Sequence, residues 1–284
     1  MYIFLTFIYA LFIGSYNIFK KLARGKSKPA VILVIFTSIC FLLSLMWIPQ
    51  GIAIPANMVW VFVVKGLIAS FNWYFILKIL KHADLSLVIA MDMLSTVLTF
   101  ICGITLFGES INPMQIVGSV LIVAGVALIN LLNKKQNGKM NVGYILLLLL
   151  SALISTGCGV IDKYTTTHLT NFQVQFWFLL FVCLFSWVYF AIDCIRAKQF
   201  LIRKEDFKNY WIYPISLCLF LGDFMLFMAY KQPGSQMIII SMISKLKILV
   251  AIFAGIFVFK EKNVVKKILL TLLIVLGAIF VAVF

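Results

Sequence analysis

Ten apolar runs, near 2–20, 29–49, 58–78, 85–107, 113–132, 142–163, 172–192, 211–230, 236–259 and 265–284, follow one another along the chain with only short connections between them. At about 1.5 Å of rise per residue, a helix of this length crosses the roughly 30 Å of hydrocarbon in a bilayer. Composition excludes the alternative of a large water-soluble core. A soluble domain carries about a quarter of its residues charged, whereas this chain of 284 residues is 64% hydrophobic and 12% charged. Backbone groups in lipid have to satisfy one another, and a helix does so within a single segment. The expected fold is therefore an all-α polytopic membrane protein with ten transmembrane helices. Turn chemistry marks its breaks: Pro29, Pro49 with Gly51 and Pro55, Asn112-Pro113 as cap and first helical residue, Asn137-Gly138 and Pro233-Gly234. The opening Met1-Tyr2-Ile3-Phe4 has neither a basic leader nor a small-residue cleavage site, so the first run is expected to remain as a helix.

The ten runs are not independent. Phe107 and Phe259, Glu109 and Glu261, Val123 and Val275, and Gly125 and Gly277 each stand 152 residues apart. Leu106-Phe107-Gly108-Glu109 leading to Leu121-Ile122-Val123-Ala124-Gly125 is echoed by Val258-Phe259-Lys260-Glu261 leading to Leu273-Ile274-Val275-Leu276-Gly277. A period of about half the chain predicts two five-helix repeats, residues 1–135 and 136–284. Five is odd, so the halves are expected to enter the membrane in opposite senses, the inverted-repeat plan of secondary transporters.

Basic residues are sorted between connections. The odd-numbered ones hold 19 Lys and Arg, the even-numbered ones only Lys163 and Lys231. Lys and Arg beside helix ends stay cytoplasmic, so both termini are expected on the non-cytoplasmic side. The formal net charge of +15 is this sorting over short loops rather than a nucleic-acid surface. The six cysteines lie in or beside apolar runs with no Cys-x-x-Cys and no histidine at ligand spacing, so neither a metal site nor a disulfide framework is expected. His82 and His168 have no nucleophile and orienting acid in reach, and no P-loop motif appears, so no catalytic residue and no cofactor are assigned.

Two matching first spans, Gly14-Ser15-Tyr16-Asn17-Ile18-Phe19-Lys20 and Gly157-Cys158-Gly159-Val160-Ile161-Asp162-Lys163, place a lysine six residues after a glycine. Together with the turns at Glu109 and Glu261 and the glycines Gly118, Gly125 and Gly277, they make the chain resemble the drug/metabolite transporter superfamily, in particular its ten-helix EamA-like members. That resemblance implies a transporter rather than an enzyme, in a cytoplasmic membrane expected to be bacterial. Two features differ from the family pattern: the fourth spans lack a central proline, and the charge count puts the termini outside.

Ionisable residues inside apolar runs are costly and mark candidate function, at roughly 2.5–3.5 kcal/mol for a lysine at the bilayer centre. Lys247 lies fourteen residues before Glu261 on a run that reads as one continuous helix from Met237. It is a candidate substrate contact, with a buried pair to Asp223 as the structural alternative. The resemblance adds that a lysine near this position in the ninth helix meets anionic substrates in the phosphate- and nucleotide-sugar-translocating branch. Lys245, two residues earlier, is about 200° around such a helix, so the two are not expected to share a cavity. Asp92 and Asp223 read as proton-coupling groups, cation ligands or pairing partners. Lys65 reads as more exposed, with a route to the outer face. Asn17 and Tyr16 offer hydrogen bonds, and Trp73 and Tyr74 offer rings to stack, against a structural role in helix packing for each. Lys20 and Lys163 read as headgroup anchors, and Glu109 and Glu261 as caps on the helices that follow them.

The function expected from these readings is a monomeric secondary transporter for a small polar metabolite, leaning to an organic anion, possibly phosphorylated. Its partners are that metabolite, membrane lipid and coupled protons or ions, with no nucleic acid. A flippase for lipid or lipid-linked intermediates, a cation or amine exporter, and a non-transporting scaffold are the alternatives.

Overall fold

In a computed structural model, which describes residues 1–79, 93–134, 142–250, 253 and 264–283, the chain folds into helices joined by turns, with no strand among the described residues. The helices are α1 (Tyr2–Arg24), α2 (Pro29–Ser44, prolonged by single turns over Leu45–Trp47 and Ile48–Gly51), α3 (Ala56–Ile79), α4 (Met93–Phe107), α5 (Pro113–Lys134), α6 (Val142–His168), α7 (Asn171–Ala197), α8 (Ile212–Lys231), α9 (Met237–Ser244) and α10 (Val264–Val283). Each corresponds to one apolar run. Among the described residues, five segments, α1, α2 with its extension to Gly51, α3, α7 and α8, are long and apolar enough by themselves to cross a membrane. The helices α6 and α7 have 27 residues each, about 40 Å, and so run past the ends expected from hydropathy alone.

The boundaries follow local chemistry. Pro29 occupies the first turn of α2, where its missing N–H costs nothing. Asn112 precedes Pro113 as expected: its side chain accepts from the Met114 N–H at 3.2 Å, and the Gln115 side chain accepts from the Asn112 N–H at 3.1 Å. Thr170 and Gln173 form the same reciprocal cap at the start of α7. Gly108 (φ +61°) and Gly234 (φ +70°) take left-handed backbone in the turns after α4 and before α9.

The main packing joins the first five helices to the last five. The helix α1 lies against α8, α3 against α6 and α7, α2 against α7 and α8, α4 against α6 and α9, and α5 against α10. Neither half therefore closes a core alone. In α2 every residue from Ala30 to Thr37 is buried, as an all-round apolar helix at the centre of a bundle should be. Outward faces carry exposed Phe4, Trp60, Ile195, Leu217 and Leu269, the surface that lipid covers. The crossing of α5 and α10 is glycine-dependent: a Cβ on Gly118 would meet the Gly277 carbonyl oxygen at 2.6 Å, and a Cβ on Gly277 would meet that of Gly118 at 2.6 Å.

One expectation fails here. The run from Met237 is not one continuous helix: α9 stops at Ser244 and helix resumes at Lys247. Across the break the amides of Lys245, Leu246, Ile248 and Leu249 all reach back three residues instead of four. This tightened turn rotates each residue by about 120° rather than 100°, which changes the phase between Lys245 and Lys247.

Candidate substrate cavity

A cavity of about 270 Å³ lies between the two halves and draws its wall from α1, α3, α4, α6, α7, α8 and the α9 region. Each long helix contributes a stripe with helical spacing. On α1 the stripe is Tyr9, Ile13, Tyr16, Asn17 and Lys20; on α6 it is Ser151, Ser155, Cys158, Gly159 and Asp162; on α3 it is Lys65, Ala69, Asn72, Trp73 and Ile76. In a membrane protein the outside is apolar everywhere, so a polar stripe identifies the inward face.

One charged cluster lies on three helices. Lys65 of α3 is 1% exposed and is ion-paired with the Asp162 carboxylate of α6. Its ammonium also sits 3.6 Å from the ring centroid of Phe178 and 4.8 Å from that of Phe227. Asp223 of α8, 8% exposed, lies within electrostatic range of both Lys65 and Asp162. Its Oδ2 accepts no hydrogen bond from the described residues. Lys65 thus does not run to the outer face: Asp162 and two aromatic faces hold it inside, where the expected snorkelling would lose all three. Lys65, paired with Asp162, is also the cation within electrostatic range of Asp223 among the described residues, where a pair with Lys247 or Lys245 was the anticipated alternative.

A second group of charges faces the same space. Lys20 is 2% exposed, with its ammonium 4.7 Å from the Tyr16 ring centroid and within electrostatic range of Lys247. It is not a headgroup anchor, because α1 continues four residues beyond it to Arg24. The Tyr16 hydroxyl is buried with no hydrogen-bond partner among the described residues. Lys245, 4% exposed, donates to the Ser95 hydroxyl at 3.2 Å. Both Lys245 and Lys247 line the cavity, contrary to the expectation from an unbroken helix, because the tightened turn brings them toward one side.

Of the other candidates, Asn17 and Trp73 line the cavity. Tyr74 does not: its hydroxyl donates to the Asp193 carboxylate at 2.6 Å and its ring stacks on Tyr189. Asp92, His82 and Glu261 lie outside the described residues. Glu109 is a cap, but on a different helix from the one expected. Its carboxylate accepts from the Met237 and Ile238 amides that open α9, the latter at 3.0 Å, while Lys163 donates to the neighbouring Ser235. The first half's turn is thereby fastened to the second half. Glu109→Ala is expected to lower stability in detergent by about 1 kcal/mol, the usual worth of a cap; an unchanged unfolding temperature would show that these bonds contribute nothing.

The comparisons with known proteins agree with this architecture. Residues 1–131 match the family model of the EamA-like transporter family. This stretch is similar to EamA-like transporters, a part of the drug/metabolite transporter superfamily. No curated protein matches the sequence. Among 28 solved chains that do match, one crystal structure superposes with a TM-score of 0.75 over 99% of this chain and 98% of its own at 16% identity, which shows a shared fold. Within the cavity, Lys20 and Asp162 carry more of the electrostatics than the sequence reading gave them. The signal was present: Lys20 is four residues after Tyr16, and Asp162 ends the small polar stripe of α6, so each shares a helix face with other polar residues.

Proposed function

We propose that this membrane transporter carries a small organic anion, possibly phosphorylated, through the central cavity by alternating access between two inverted five-helix repeats, residues 1–135 and 136–284. The repeat reading is supported by the way contacts exchange when the halves are swapped. The pair α1 with α8 corresponds to α3 with α6, α1 with α9 to α4 with α6, and α2 with α8 to α3 with α7, while α2 with α7, α4 with α9 and α5 with α10 map onto themselves.

The anion reading is supported chiefly by Lys20, buried in the cavity wall and within electrostatic range of a second cavity-lining lysine, Lys247. Two ammonium groups beside one small cavity repel, and an anion in the cavity lowers that repulsion whatever else each lysine contacts. The described wall supports the same sign, with Lys20, Lys65, Lys245 and Lys247 against Asp162 and Asp223. The Tyr16 hydroxyl and Asn17 supply hydrogen bonds to such a ligand, and Trp73 supplies an apolar face. At about 270 Å³ the cavity is just below the usual span of ligand sites, roughly 300–1,000 Å³, and this suits a small metabolite better than a lipid.

Thermal-shift screening of the purified chain against sugar phosphates, other organic anions, amines and amino acids tests the reading. Anions are expected to stabilise it, and Lys20→Gln is expected to weaken their binding about tenfold, the loss of one charge-assisted contact near 1.4 kcal/mol. Stabilisation by amines alone, or anion binding indifferent to Lys20→Gln, would reject it.

A further inference from the structure

We propose that Asp223, with Asp162 and Lys65, forms a proton-binding site whose occupancy is linked to the charge in the cavity, so that a proton travels with the anion. The transport role depends on the anion reading given above; the proton site itself does not.

The argument begins with charge balance. A single cation, Lys65, serves two carboxylates on two other helices, and its ammonium is committed to Asp162 and to the Phe178 ring. Asp223 is left buried, in the cavity wall, with Oδ2 accepting no hydrogen bond from the described residues. A carboxylate in that position has lost its water without gaining a donor. Binding a proton on Oδ2 removes the uncompensated charge and takes the cluster from a formal −1 to neutrality. The proton comes from water in the cavity while one side is open, and returns to water when the other side opens.

Among the described residues, Lys65 is the cation within electrostatic range of Asp223. From α1 it is faced by the Tyr16 hydroxyl, itself without a described partner, with Lys20 over the Tyr16 ring. From α2 comes the Cys40 thiol, which donates to the Ser216 carbonyl at 3.3 Å. From α6 come Cys158 and Asp162, and from α3 Lys65. The helix α7 contributes Phe178 to the wall, and its buried Gln175 amide donates to the Phe220 carbonyl at 2.8 Å. On α9 no residue from Met237 to Ser244 titrates, and Lys245 follows directly. On α8 itself the only other titratable group on this face is Tyr230.

An anion held by Lys20 and Lys247 adds negative charge to the same cavity and so strengthens proton binding at Asp223. By linkage, the bound proton strengthens anion binding by the same factor. The two ligands load and leave together, which makes the transporter a proton–anion symporter.

Infrared difference spectroscopy of the purified full chain, stepped in pH without any anion, reads the site directly through the C=O stretch of a protonated carboxyl. A titrating band is expected in the unmodified protein and in Asp193→Asn, and its loss in Asp223→Asn. Asp162→Asn leaves Lys65 to Asp223 alone and is expected to weaken proton binding about tenfold. Lys20→Gln, which imitates the charge change caused by an anion, is expected to strengthen it severalfold. A band that survives Asp223→Asn, or a midpoint unmoved by Asp162→Asn, overturns the proton site. A midpoint unmoved by Lys20→Gln overturns the linkage. Neither result bears on whether anions bind, which the thermal-shift screen decides separately.

Discussion

Replacing Lys65 with Gln is expected to lower stability in detergent by roughly 3–5 kcal/mol, the cost of leaving a buried charge without its partner. Two carboxylates, Asp162 and Asp223, then stand inside the bundle with no cation between them, and the rings of Phe178 and Phe227 lose the ammonium that lies against them. The companion changes separate a charge effect from a packing effect. Asp162→Asn is expected to cost far less than Lys65→Gln, because Asp223 remains to balance Lys65. The double variant Lys65→Gln, Asp162→Asn is expected to recover a large part of the loss, since only one uncompensated carboxylate then remains. Unfolding temperatures followed by intrinsic fluorescence measure all three. Equal costs for the two single changes would mean that Asp223 does not share Lys65, and an unaltered Lys65→Gln protein would remove the cluster from the stability of the fold.

The second large effect is expected where no charge is involved. At the crossing of α5 and α10 the backbones themselves touch: the nearest atom to a Cβ on either Gly118 or Gly277 is the carbonyl oxygen of the other. A helix carbonyl cannot swing aside as a side chain can, so Gly118→Ala and Gly277→Ala each force the two helices apart, at about 3 kcal/mol, the upper part of the usual range for overpacking. Gly125 is the internal control. A Cβ there would meet the Ile274 Cγ1 at 2.6 Å and a backbone atom, the Leu270 carbonyl oxygen, only at 3.3 Å, so Gly125→Ala presses first on a side chain and is expected to cost less, about 2 kcal/mol. Comparing the detergent unfolding temperatures of the three variants checks this order. If Gly125→Ala proves as damaging as the other two, close backbone approach is not what the α5–α10 contact requires.

The residues that set the two effects differ in how far sequence alone exposes them. The α5–α10 glycines are legible: Gly118 and Gly125 are seven apart on one helix face, and Gly277 repeats Gly125 at the 152-residue period. The caps at Asn112 and Thr170, the proline entry to α2 and the all-helical character follow from local chemistry that acts within a few residues. The resemblance to EamA-like transporters, which the family match over residues 1–131 supports, is legible for a similar reason, because apolar runs, their charge sorting and the repeat are properties of the linear chain.

The cavity chemistry was decided by tertiary structure. Lys65 and Asp162 are 97 residues apart, and nothing in the linear pattern selects Asp162 over Asp223 or Asp92 as the partner of a given lysine; helix packing makes that choice. Lys245 and Lys247 appear to be on opposed faces only if the helix is regular, and the break after Ser244 carries no proline or glycine to announce it. Glu109 is recognisable as a cap from its place in a turn, but the amides it caps belong to Met237 and Ile238, brought to it by the packing of α4 on α9. Local rules fix which segments become helices and which membrane environment they need. Which buried charges neutralise one another depends on distances across the bundle, and those exist only once the two halves have packed.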